Sequence, residues 1–127
     1  MRFNQDSSSG AHVIRAYRQG EIKIDDAVHR TTMIVSAAVL EPAPEIRYVQ
    51  DLAVPELARP VIARIHALEP ELALLGTGLR QAFPTAEFLA QFLGADIGIE
   101  VMDTGAACRT FNVLVSERRR VVALMIV

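Results

Sequence analysis

The residues best placed to do chemistry in this sequence stand where apolar runs end. Asp103-Thr104-Gly105 follows the run Ile97 to Met102 and precedes a stretch with helical spacing. Asp and Thr oxygens both accept the free N–H groups of a helix's first turn. Glycine lets a ligand come close to the backbone, and exposed N–H groups at a helix start suit an anion. Gly76-Thr77-Gly78 follows a second run, Glu71 to Leu75. It falls short of the dinucleotide fingerprint, which needs a third glycine where Gln81 stands, so a tight turn is its plainer reading. If both runs are parallel strands, both triplets leave the carboxyl end of one sheet, where open α/β sheets bind ligands. Gly76, Thr77, Gly78, Asp103, Thr104 and Gly105 therefore form a candidate ligand cleft, with Arg80 or Arg109 as a cationic wall.

Other chemistry is weaker. An Asp-Thr-Gly triplet is also catalytic in aspartic proteases, but they need two carboxylates sharing a proton, and the triplet occurs once here. Cys108 is the single cysteine, so it forms no intrachain disulfide and no multi-cysteine metal site. It falls near a helix start, where a thiol can be activated, yet buried free cysteine is commonly inert. His12, His29 and His66 have no metal-ligand spacing. The expectation is no metal, no cofactor and no catalytic set. Arg109, Asn112 and Ser116, with Val113, lie on the polar side of the helix and form a candidate partner surface. Arg118-Arg119-Arg120, at that helix's C-terminal end, reads as a solvated group that favours the helix dipole.

The elements that position these residues follow from periodicity. His12–Tyr17 and Glu21–Ile24 flank Arg18-Gln19-Gly20 and read as a hairpin. Thr31–Val35 is a third strand, Ser36–Leu40 extends it or bends away, and Glu41-Pro42-Ala43-Pro44 is a loop. Leu57, Val61, Ile65 and Leu68 share one helical face; Pro60 then marks the helix start or a kink. Glu71–Leu75 is a strand, Pro84–Leu93 a helix, Ile97–Met102 a strand and Thr104–Ser116 a helix with an apolar arc of Ala107, Cys108, Phe111, Leu114 and Val115. Val121–Ile126 is apolar without interruption, as a strand covered on both faces requires. Strand–helix–strand–helix–strand implies right-handed crossovers. The expected fold is α/β: a three-layer single domain over 12–127 around a mixed, largely parallel β-sheet, with an additional N-terminal β-hairpin layer and a flexible arm over 1–11.

The 127 residues are 51% hydrophobic and 22% charged, which excludes a disordered chain or a coiled-coil rod. A net charge of −2 argues against nucleic acid as a partner. No apolar run reaches the length of a signal peptide or a membrane span. A cytoplasmic protein is expected, with peripheral contact to a membrane complex or self-association left open.

As a set, Leu75-Gly76-Thr77-Gly78, Phe83-Pro84, Asp103-Thr104-Gly105-Ala106-Ala107-Cys108-Arg109-Thr110-Phe111-Asn112-Val113-Leu114 and Glu117 with Arg119-Arg120-Val121 carry a family resemblance. They resemble the small uncharacterised α/β proteins of bacteria and archaea that include, in eukaryotes, the mitochondrial complex I (NADH dehydrogenase) assembly factor 3. The family usually has a Trp near position 46, which this chain lacks. The resemblance implies a three-layer α/β fold and supplies no enzyme activity. It implies a non-catalytic binding or assembly-factor role with a protein partner. The alternative is a small-molecule or anion-binding protein that uses the cleft between the two glycine-containing triplets.

Overall fold

The computed structural model describes residues 10–127, so the expected arm falls, up to residue 9, outside the described residues. Strands β1 (Ile14–Arg18), β2 (Glu21–Ile24) and β3 (Ala27–His29) form an antiparallel three-stranded sheet in the order β1-β2-β3. The hairpin expected from sequence thus gains a third strand. Asp25 makes that possible by adopting a left-handed φ of 55° between β2 and β3, a conformation that Asp tolerates. Its carboxylate accepts from the Val13 N–H at 3.0 Å and stands 2.7 Å from His12 Nδ1. Burial pushes the Asp25 carboxyl upward, but these bonds outweigh it and hold the group below its ordinary value.

A second sheet follows the order β5-β4-β8-β6-β7. Its strands are β4 (Met33–Ser36), β5 (Leu40–Pro42), β6 (Leu72–Thr77), β7 (Gly98–Met102) and β8 (Val121–Ile126). β6 runs parallel to both β7 and β8, and β4 runs antiparallel to β8 and β5, so the sheet is mixed. After β4 the chain bends: Ser36 N–H donates to Val39 O and Ser36 Oγ accepts from Val39 N–H, at 2.9 and 3.0 Å. The expected proline loop therefore contributes a three-residue edge strand, where a proline costs no inner ladder bond.

Helices cover both faces. On one side, a 3-10 helix (Val49–Ala53), α1 (Pro55–Ala67) and α2 (Ala86–Leu93) pack Leu52, Val61, Ile65, Phe88 and Phe92 against Leu75, Val122 and Leu124. The 3-10 helix has no counterpart in the sequence reading; Asp51 organises its start by accepting from the N–H groups of Arg47 and Tyr48. α1 begins at Pro55, and Pro60 lies inside it on the exposed side, where water can satisfy the carbonyl a proline leaves without a donor. Arg64 ties α1 to the β5 region, donating to Pro42 O at 2.6 Å and pairing with Glu41 and Glu45. On the other face, α3 (Thr104–Ser116) and the three-stranded sheet bury Ile22, Ile24, Ala107, Cys108 and Phe111 against Leu74, Ala123 and Met125.

One side chain joins the last two of these covering elements. Asn112 Nδ2 donates to Ile14 O at 2.8 Å, and its Oδ1 accepts from Ile14 N–H at 3.0 Å. A side-chain amide here takes the place of a neighbouring strand for the first residue of β1. Asn112→Ala removes both bonds, and at ~0.5–1.5 kcal/mol each the domain should lose about 1–3 kcal/mol. A urea titration with a lowered midpoint and an unchanged slope is the expected result; an unchanged midpoint would show the pairing to be dispensable.

Candidate functional site

The residues picked out as a ligand cleft do converge at the carboxyl ends of β6 and β8. Gly76 and Thr77 belong to β6 itself, so the strand runs two residues beyond the length expected from sequence. The cause is tertiary. A Cβ at Gly76 would lie 2.9 Å from Thr104 Oγ1 and 3.1 Å from Thr104 Cα, so glycine serves the close approach of α3 rather than a turn. The turn comes at Gly78, with φ +100°.

Between these segments lies a joint of hydrogen bonds. Thr104 Oγ1 donates to Ile126 O at 2.6 Å and accepts the Gly78 N–H at 2.8 Å, while Thr104 N–H donates to Gly78 O at 2.9 Å. Thr104 is fully buried. The two triplets are therefore bonded to one another through Thr104 and Gly78. The start of α3 is equally committed: Asp103 caps it, its Oδ1 accepting the Ala106 N–H at 2.9 Å and its carbonyl accepting from Ala107. With the Thr104 N–H given to Gly78 O, two of the free donors an anion would use at this helix start are already engaged.

Around Gly105 stand Arg109 Nη1 and the Tyr17 ring, 3.8 and 3.9 Å from where a Cβ would project. Burial raises the Tyr17 phenol, with Cys108 and Asp103 adding to the effect. Burial pushes the Cys108 thiol up to about 12, Arg109 offsetting this in part and Asp103 reinforcing it. A thiol so placed is a packing group. Of the candidate partner surface, Arg109 is exposed, Asn112 is bonded to Ile14, and Ser116 Oγ donates to Val113 O of its own helix at 2.6 Å.

Two features went unseen in the sequence. The first is the loop after β6, which holds Leu79 and Phe83 in solvent at 55% and 74% exposure. Three hydrogen bonds from two side chains fasten it: Thr77 Oγ1 donates to Arg80 O at 2.7 Å and accepts from Ala82 N–H at 3.2 Å, and Gln81 Nε2 donates to Val101 O at 3.1 Å. The second is an open concavity at the opposite end of the sheet, beside the end of α3. Its walls come from segments a hundred residues apart, so no local pattern announces it. Among the described residues no helix is long and apolar enough to cross a membrane.

Two predictions follow from this geometry. Thr104→Val should cost about 2–4 kcal/mol by stranding the Ile126 carbonyl and the Gly78 N–H, whereas Thr104→Ser should recover most of it; equal melting of both variants with the parent would refute the joint. For Cys108, about one thiol in ten thousand is ionised at pH 8, so iodoacetamide labelling of the folded protein should be at least 100-fold slower than in urea. The raised value means that the neutral buried thiol's contribution to stability is complete below pH 9.0 and is lost as pH rises toward about 12. Comparable labelling rates in the folded and unfolded protein would contradict this environment.

Comparison with known proteins agrees with this architecture. The chain is 34% identical to NADH dehydrogenase [ubiquinone] 1 alpha subcomplex assembly factor 3 of Danio rerio, over 96% of this chain and 68% of that protein. It is 28% identical to the 13 kDa major membrane protein of Francisella tularensis, over 99% of both. A Xanthomonas campestris protein solved by NMR superposes with a TM-score of 0.78 at 35% identity, covering all of this chain and 92% of that one. Residues 14–126 match the model of a protein of unknown function, DUF498/DUF598, and the chain is a member of that family.

Proposed function

We propose that the chain is a non-catalytic protein-binding domain of the assembly-factor kind, and that the loop Leu79–Phe83 is the face its partner covers. The observation that carries this reading is Phe83, an aromatic side chain 74% exposed on a loop that three side-chain hydrogen bonds hold in place. Leaving such a group in water is unfavourable, and aromatic residues on preorganised backbone are the usual anchors of protein interfaces. Leu79 extends the patch, and Arg80 between them adds a cation that interfaces favour. The assembly-factor names of relatives that match nearly the whole chain support the same reading, although the chain spans only about two thirds of their length.

The chemistry-bearing residues favour this reading over the small-molecule one. A ligand lodged between Gly76–Gly78 and Asp103–Gly105 would have to displace the Thr104 bonds, and Cys108 is buried with its thiol pushed toward the neutral form. On α3, Arg109 and Val113 remain exposed and could widen the contact face, whereas Asn112 already serves the fold.

The test is a double substitution, Leu79→Ser with Phe83→Ser. Both side chains are exposed, so stability should stay within about 0.5 kcal/mol. Affinity capture of the tagged protein from its own cells, in membrane and soluble fractions, should yield a stoichiometric partner with the parent chain and lose it with the variant. The same partner at the same yield from both would remove this face from consideration.

A further inference from the structure

The concavity at the far end of the sheet has the chemistry of a site. It measures about 1010 Å³ and lies between the residues that lead into β1, the bend after β4 and the segment linking α3 to β8. Arg15, Arg118, Arg119 and Arg120 line it together with His12, and no carboxylate does. Four of the chain's 13 cationic side chains thus gather in one hollow of a protein whose net charge is −2. Its floor is apolar, with Ala37, Leu68, Val115 and Val121 among the lining residues.

The carboxylates nearby engage part of this group. Asp25 faces His12 at 2.7 Å. Glu71 accepts from Arg119 Nε at 3.1 Å and from the Arg120 N–H at 3.0 Å, and Arg120 Nε donates to Glu69 O at 3.2 Å. The Arg120 N–H and the Arg119 guanidinium hold Glu71 below its ordinary carboxyl value. In both arginines the inner nitrogen is used for anchoring, and the outer Nη groups make no hydrogen bond among the described residues. Glu117 is exposed at the end of α3, next in sequence to Arg118. The Arg118 side chain makes no hydrogen bond or ion pair among the described residues.

Arg118 also occupies an unfavourable backbone position. It has φ +62° just past the C-terminus of α3, and the turn is closed by Arg118 N–H to Val115 O at 2.9 Å and Arg119 N–H to Leu114 O at 3.0 Å. Glycine is the residue that such a helix terminus ordinarily takes. A long cation held there at a conformational cost, without a partner, is the kind of outlier that function explains. Favourable placement at the negative helix end accounts for a positive charge somewhere in this turn. It does not account for a strained arginine facing an apolar floor.

We propose that this cleft binds an amphiphilic anion: a phosphate-type head is held by Arg118 and the outer nitrogens of Arg119 and Arg120, and an aliphatic body lies over Val115 and Val121. The arginine fork suits the head through paired N–H donors, and the floor excludes water from the tail.

The experiment follows backbone amide signals of the full chain by NMR at low salt, with monomeric octyl phosphate as the probe. Inorganic phosphate, octanol and octyltrimethylammonium serve as comparisons. Octyl phosphate should shift signals of 36–38 and 115–122 saturably and bind at least tenfold tighter than phosphate or octanol. Octyltrimethylammonium should not compete. Arg118→Gly should weaken octyl phosphate at least tenfold while melting at or above the parent temperature, because glycine suits the left-handed turn. If that variant melts lower, Arg118→Asn, which also tolerates this φ, takes its place. Vesicles containing phosphatidylglycerol distinguish the source of the head. Arg118-dependent co-sedimentation assigns it to a lipid, and saturation by the soluble ester without vesicle binding assigns it to a free phosphate ester. Shifts that do not saturate or fall elsewhere, octanol binding as tightly as octyl phosphate, or binding unchanged in the glycine variant would each overturn the proposal.

Discussion

Because β8 lies in the middle of the sheet, with a covering layer on either side, every residue from Val121 to Ile126 must be apolar. Side chains along a strand alternate between its faces. Val122, Leu124 and Ile126 enter the core under α1 and α2, and Val121, Ala123 and Met125 enter the core under α3 and the three-stranded sheet. One polar residue in this run would leave a buried group without a partner in one core or the other. The neighbouring strands obey the same constraint: Ala73 and Leu75 of β6 face the first core, and Leu74 faces the second. β4 splits likewise, with Ile34 on one side and Met33 and Val35 on the other. Two small cores thus share one sheet, and neither can be lost without exposing the other's floor.

A sheet covered on both faces still needs its open end closed, and Thr104 does this. Its hydroxyl accepts from the end of β6 and donates to the end of β8, while its backbone N–H returns a bond to Gly78. The carboxyl ends of parallel strands are where folds of this class usually leave room for a ligand. Here that room is filled by the start of α3, brought in against Gly76 because no Cβ stands in the way. A motif that suggests phosphate binding in sequence therefore acts as a structural joint.

The sequence made the long periodic elements legible. β8 is visible from its missing alternation, α3 from its apolar arc, and the crossover order from the succession of runs. Less legible were features that tertiary contact decides. Gly76 resembles a strand terminator but continues β6, because what matters at that position is the distance to Thr104. The third strand of the N-terminal sheet is three residues long and depends on a left-handed Asp25, which no hydrophobic period records. The convergence of the two triplets followed from parallel topology; their mutual bonding did not, since it turns on one hydroxyl. Asn112 read as a surface residue because its partner, Ile14, lies 98 positions away. The arginine-lined cleft was hidden for the same reason, Arg15 being far from Arg118 in the chain.

Where each local choice agrees with the fold, a residue is explained by the fold; the disagreements are where function is to be sought. Two stand out, one on the loop that begins at Gly78 beside the start of α3 and one just past the end of that helix. Phe83 gains nothing for the core by standing in water, and Arg118 occupies a turn that glycine would fill without strain. The helix between these ends spans 13 residues, about 20 Å at 1.5 Å per residue. It is pinned by Thr104 at one end, by Asn112 along its length and by buried Ala107, Cys108 and Phe111 between them. A helix held at so many points cannot slide or turn without breaking those bonds. The proposed partner face and the proposed anion cleft are thus held at a fixed separation, and a ligand in the cleft can influence a partner at the loop only through a difference in its own affinity for two arrangements of the domain. With α3 locked in this way, independent occupation of the two ends is the expected behaviour of the fold.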